Sequence, residues 1–279
     1  MDDSRRYPIG QQNFRELRRQ GALYVDKTRY LEKIVNNNSR YWFLARPRRF
    51  GKSLFLSTLE YFYKGERELF KGLFIDSMDW KWEAYPVLRL DLNTEKYKER
   101  GLLDKVLDNI FRKWEEEYGV DEIAETLSGR FQNIIEAAHE KTGYQVVILV
   151  DEYDKPLVSN LSDDGNFEHY RERLASVYSN FKSSAEHIKL VFLTGVSRFS
   201  KLSVFSDLNN LRDITFSDDF ADICGITEKE LHEWFQSGIR ALAEYNGMSN
   251  GEACGMLKDN YDGYRFARKG SEIYNPWSV

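Results

Sequence analysis

The chain has 279 residues, 42% hydrophobic and 15% aromatic, and its 45 acidic side chains outnumber 40 lysines and arginines for a formal net charge of −5. That apolar content rules out an intrinsically disordered chain and suffices for one α/β core with a smaller appendage. The negative balance supplies no global field toward nucleic acid or an anionic membrane, and no uninterrupted apolar run approaches bilayer length.

The stretch from Met1 to Arg6 lacks the apolar region of a leader, and Cys224 and Cys254 show no metal-ligand spacing. Reduced thiols in a cytoplasmic protein are the expectation. Asp26 reads as an N-cap, and Leu31, Ile34 and Val35 at helical spacing predict a short helix ending near Asn36. The apolar run from Tyr41 to Leu44 then predicts the first core strand.

Directly behind that strand come Arg46, Pro47, Arg48, Arg49, Phe50, Gly51, Lys52, Ser53 and Leu54, and a helical pattern follows. Strand, loop and helix in this order are the setting of a phosphate-binding loop. Backbone N–H groups can turn inward on a triphosphate, and the helix presents its positive end. Lys52 can reach the β and γ phosphates, and Ser53 can ligate Mg²⁺. The usual pattern opens with Gly where Arg46 stands, so this loop turns differently, and Pro47 removes one donor. Leu54, Phe55, Leu59, Phe62 and Tyr63 place one face of the next helix on a sheet.

Pro86 to Leu92 reads as a further strand; Asp91 near its end either lines the site or serves a turn. Two helices follow, one carrying Leu103, Val106, Leu107, Ile110, Phe111 and Trp114, the other Ile123, Leu127, Ile134, Ile135 and Ala138, with Gly119 between them. Lys113 and the run Glu115 to Glu117 are assigned to the solvated face.

Gln145 to Glu152 is a short β-branched run closed by two carboxylates, the pattern of a buried parallel strand. Asp151 would hold Mg²⁺ through water, and Glu152 would orient and deprotonate the attacking water. Ser159 to Asn166 reads as a polar loop, and a helix through Phe167, Tyr170, Leu174, Val177, Tyr178 and Phe181 leads to the strand Ile188 to Val196. Thr194, at a strand end where ligands of open α/β sheets sit, either hydrogen-bonds the attacking water or γ phosphate or satisfies turn amides. Arg198 either pairs with transition-state charge or makes a surface salt bridge. The residues 200 to 219 are rich in Ser, Asp and Asn and read as an active-site or interaction loop, with Ile214 to Phe216 as a last strand. Thr227 to Glu230 forms a capping box for a helix with Leu231, Trp234, Phe235, Ile239 and Leu242 on its apolar face. Tyr261 to Phe266 is a turn flanked by aromatics.

The predicted fold is therefore a three-layer α/β/α phosphate-loop NTPase with a mainly parallel sheet, residues 1–225, and a C-terminal helical lid, residues 226–279. Two functions fit: an ATPase coupling hydrolysis to conformational change, and a nucleotide-gated binding switch with slow turnover. Tyr24 reads as a core tyrosine or an adenine-stacking one.

Pro8 to Gly10, Phe14, Leu17, Arg18, Gly21, Tyr24 to Thr28, Arg46 to Ser53, Leu149 to Asp154, Thr194 to Arg198 and Tyr261 to Phe266 together resemble the predicted AAA-ATPase-like family, over nearly the whole chain. The resemblance implies a phosphate-loop domain of the additional-strand, catalytic-glutamate division that binds ATP and Mg²⁺. It carries phosphate and metal roles to Lys52 and Ser53, metal and water roles to Asp151 and Glu152, and matches Thr194 and Arg198 more loosely. Arg46 looks like this family's own variant of the loop. Members often carry a restriction-endonuclease-like nuclease domain after the ATPase part, so the native chain is expected to continue past Val279. The residues at hand contain no nuclease constellation, and the −5 charge lends nucleic acid no support as a partner.

Overall fold

The structure, a computed structural model, describes residues 6–198 and 210–278. Helices α1 (Phe14–Arg19) and α2 (Arg29–Val35) precede strand β1 (Tyr41–Ala45). α1 went unread in the sequence, being too short for a periodic pattern. Asp26 does not cap α2 itself; that position is Thr28, and Asp26 instead accepts the Thr28 amide at 2.8 Å and the Phe74 amide at 2.7 Å. The phosphate-loop segment leads into α3 (Lys52–Tyr63), and β2 (Val87–Asp91) follows two single-turn 3₁₀ helices.

Next come α4 (Leu102–Tyr118) and α5 (Leu127–Thr142), β3 (Val146–Asp151), α6 (Lys155–Val158), α7 (Asp164–Tyr178), α8 (Asn180–Ser183) and β4 (Ile188–Gly195). Gly119 ends α4 in the left-handed conformation at φ 76. Ile123 was expected in the second helix but lies outside it and is exposed, because Thr126 caps α5 and starts it later. α7 likewise begins at Asp164 behind the Asp163 cap, which shortens the expected polar loop.

The sheet runs β2-β3-β4-β1-β5, with β5 at Arg212–Asp213, and every pairing is parallel. The last strand was expected at Ile214 to Phe216. It pairs two residues earlier, Ile214 is buried behind it and Phe216 is exposed. Residues 200–209 of the expected loop lie outside the described residues.

Strand alternation sorts the core into two faces. Trp42, Leu44, Val87, Val147, Leu149, Leu190 and Phe192 pack with α1, α2 and α3. Tyr41, Phe43, Leu88, Leu90, Ile148, Val150, Val191 and Leu193 pack with α4, α5 and α7. This is the expected three-layer α/β/α architecture.

β6 (Ile226–Thr227) opens the C-terminal segment. The capping box on Thr227 and Glu230 forms as read, but the expected single helix is two, α9 (Glu228–Trp234) and α10 (Gln236–Asn246), broken at Phe235. A second capping box, Ser249 with Glu252, starts α11 (Asn250–Tyr261), and β7 (Ile273–Tyr274) pairs antiparallel with β6. Leu231, Ile239, Ala243, Ala253, Leu257 and Tyr274 form a small core of their own. No helix among the described residues is long and apolar enough to cross a membrane.

Candidate functional site

The C-terminal ends of β1, β3 and β4 lie side by side, since β4 pairs with both the others: Ala45 is opposite Gly195, and Val150 opposite Leu193. The loop after β1 continues that pairing for one residue, the Arg46 amide donating to the Gly195 carbonyl at 3.1 Å. It then turns through Arg49 at φ 67 and Gly51 at φ 91. Glycine takes the second turn without strain, whereas Arg49 is held in a region disfavoured for a residue with a Cβ. Gly51 is the N-terminal cap position of α3, so Lys52 and Ser53 occupy its first turn.

Lys52 is buried, 3% exposed. Its ammonium donates to the Arg46 and Pro47 carbonyls at 3.1 and 3.2 Å and lies 3.0 Å from a Glu152 carboxylate oxygen. Glu152 also has a left-handed backbone, φ 55, which turns the chain out of β3. Burial pushes its carboxyl above the usual range, and the neighbouring Lys52 charge only partly offsets this.

Alternation places Asp151 and Thr194 on the α3 face, the side with Leu149 and Phe192. The Thr194 hydroxyl donates to Asp151 Oδ1 at 2.8 Å and accepts the Glu152 amide at 3.3 Å. Thr194 thus satisfies a turn amide, one of the two readings made of it, and its hydroxyl also holds the Asp151 carboxylate, which neither reading foresaw. Oxygen donors from a hydroxyl and a carboxylate suit a hard divalent cation, so Ser53 and Asp151 fit Mg²⁺. The fully buried Asp154 accepts the Val196 amide at 3.1 Å and the Ser197 amide at 2.8 Å. A Cβ on Gly195 would stand 2.5 Å from the Tyr153 ring and 2.8 Å from Asp154 Oδ1, so only glycine fits there.

Other expected site residues lie elsewhere. Arg198 forms the surface salt bridge that was one of its two readings, with Nε and Nη2 2.8 and 2.5 Å from Asp213 Oδ2. The Arg46 side chain turns away from Lys52 into the protein: its guanidinium donates to the carbonyls of Ala45, Thr215, Phe220 and Ala221 and stacks 4.1 Å over Phe266. Only its backbone faces the loop, because the long side chain finds carbonyl acceptors on the segment after β5. Phe50 is likewise buried, edge-on to Tyr264 at 4.7 Å and to Phe266 at 5.3 Å, and Arg49 lies 4.5 Å over Trp277. Tyr24 is a core residue, edge-on to Phe14 and hydrogen-bonded to Thr58. Asp91 serves a turn, accepting the Asn93 amide at 2.9 Å.

Sequence reasoning missed Arg89, which links Glu60 to Asp151, and the C-terminal aromatics on the loop. For Arg89 a signal existed: a cation between Leu88 and Leu90 inside a core strand.

A family model described as Predicted AAA-ATPase matches residues 8–205. Over 277 residues the chain is 35% identical to an uncharacterized protein in the vnfD 5' region of Azotobacter chroococcum mcd 1. That alignment takes in 99% of this chain and 51% of the other, so the chain spans about half the length of the curated relative it matches.

Proposed function

The chain belongs to the predicted AAA-ATPase family, and we propose that it is a Mg²⁺-dependent ATPase whose turnover drives a conformational change in the segment after β5. The observation that carries the reading is the convergence of Lys52, Asp151, Glu152 and Thr194 at three adjacent strand ends, with Lys52 3.0 Å from Glu152. In this reading the loop from Arg46 to Leu54 wraps the phosphates, chiefly through its backbone. Lys52 leaves the Arg46 and Pro47 carbonyls for the β and γ oxygens, which frees Glu152 to orient and deprotonate water. Ser53 and Asp151 would hold Mg²⁺, which when bound offsets charge on the phosphates. Thr194 keeps Asp151 and the Glu152 backbone in register. Release of Arg198 from Asp213 would make its charge available to the γ phosphate.

Residues 226–279 are the lid of this proposal, and what the longer relative adds beyond the shared half is outside it. A second reading, a nucleotide-gated switch, is favoured by the same Lys52 to Glu152 contact, which holds the base in an ion pair until nucleotide arrives.

The test is equilibrium binding of ATP together with Mg²⁺-dependent phosphate release, for wild type and Lys52→Ala. Loss of both in a variant that melts like wild type is the expected result. Binding and turnover unchanged in Lys52→Ala would overturn the assignment of this loop.

A further inference from the structure

Strand β2 presents Val87, Arg89 and Asp91 toward α3 by its period of two, so Arg89 places a cation in the middle of an apolar face. Its Nη1 donates to Glu60 Oε2 at 2.9 Å, and its Nη2 donates to Asp151 Oδ2 at 3.3 Å. The other oxygen of Asp151 accepts the Thr194 hydroxyl at 2.8 Å. Each oxygen of the carboxylate assigned to the metal side therefore already accepts a hydrogen bond, one of them from a cation. A guanidinium cannot make way by losing its proton. It can only move, and Glu60, already its closer partner, offers the place to move to.

We propose that Arg89 is a positioning residue that gates Asp151: it competes with the divalent cation, so that Asp151 takes Mg²⁺ only when nucleotide phosphates add their own charge. The inference rests on the reading of Asp151 as the metal-side carboxylate. Electrostatics sets the sign. Removing a cation that touches Asp151 strengthens the pull of that carboxylate on a divalent ion. Removing the charge of Glu60 takes away the closer partner that draws Arg89 off Asp151, leaves Asp151 and Asp91 as its acidic neighbours, and weakens that pull. A structural role alone would lower stability in both variants without moving metal affinity in opposite directions.

The experiment titrates Mn²⁺ alone, free ion counted by electron paramagnetic resonance, into the full chain without nucleotide. Arg89→Met is expected to bind Mn²⁺ about tenfold more tightly than wild type, equivalent to roughly 1.4 kcal/mol, and Glu60→Gln more weakly. Because Arg89→Met takes away the cation between Asp151 and Glu60, the latter still paired with Lys64 at 2.6 Å, Arg89→Met/Glu60→Gln, which preserves the local net charge, is measured beside it and should exceed Glu60→Gln. Adding Asp151→Asn to the Arg89→Met chain should remove the gain. No tightening in either background, or a gain that survives Asp151→Asn, would overturn the gate. ATP titrated with Mg²⁺ present is read separately: failure of the wild type to bind it there overturns the nucleotide reading itself, whatever the Mn²⁺ series gives.

Discussion

A carboxylate 3.0 Å from a buried lysine should be a strong acid, yet burial pushes Glu152 the other way, and Lys52 offsets only part of that. The sign matters for catalysis. In the proposed mechanism Glu152 works as a base only when ionised, so its elevated value would move the acid limb of the rate profile upward. Phosphate release is expected to fall on acidification through a pH above the ordinary glutamate value of about 4.3, and a profile of the maximal rate against pH checks it. Thr194→Val keeps the shape but removes the hydroxyl that Asp151 and the Glu152 amide share. Maximal turnover should drop by about 10²-fold or more, with ATP binding in EDTA little changed, as measured by single-turnover kinetics beside a binding titration. At this scale the sequence marked where Lys52, Ser53, Asp151 and Glu152 stand in the fold, because each follows or closes an apolar strand. It was opaque where a long side chain chose its partner in three dimensions: nothing local told Arg46 to leave its loop for the Thr215 carbonyl.

Apolar runs ending in polar residues announced β1, β3 and β4, and a heptad-like apolar stripe announced α4 and α5. Boundaries depended on caps that periodicity does not register, hence the misplaced Ile123 and the break at Phe235. The run Glu115 to Glu117 looked like a solvated face, but Glu115 is buried and accepts Arg130 Nε and Nη2 at 2.6 and 2.7 Å, while Asp108 accepts Nη1 at 2.5 Å. This network joins α4 to α5, and the third charge made the pattern look solvent-facing when only Glu116 and Glu117 are exposed. Arg130→Met would leave Glu115 buried without its cation, an expected loss of about 3–5 kcal/mol in chemical denaturation. Nucleotide affinity should not change, because the network sits on the helices of the opposite sheet face from α3.

The order β2-β3-β4-β1-β5 inserts β4 between the loop strand and the acidic strand, and this lets Thr194 reach Asp151 while Gly195 stays beside Ala45. Strand order is a property of the whole chain, and apolar runs carry no neighbour information. The second whole-molecule feature was invisible for the same reason. Phe50 and Arg46 of the loop meet Tyr264 and Phe266, more than two hundred residues later, and the Gly225 amide donates to the Phe50 carbonyl at 3.0 Å. The outer side of the loop is thus a packed seam with the C-terminal segment. Phe266→Ala opens a cavity under Arg46 and Phe50, expected to cost about 3–5 kcal/mol and, unlike Arg130→Met, to weaken ATP binding as well. Denaturation and a nucleotide titration on both variants separate the two cases.

The central claim is hydrolysis of ATP at this site with Glu152 as base. It is tested most directly by Mg²⁺-dependent phosphate release from wild type and Glu152→Gln under identical conditions, with ATP binding measured on the same samples. Wild-type turnover that falls at least about 10²-fold in Glu152→Gln while ATP binding persists is the expected result. Equal phosphate release from the two proteins, whether fast in both or at background in both, would contradict it.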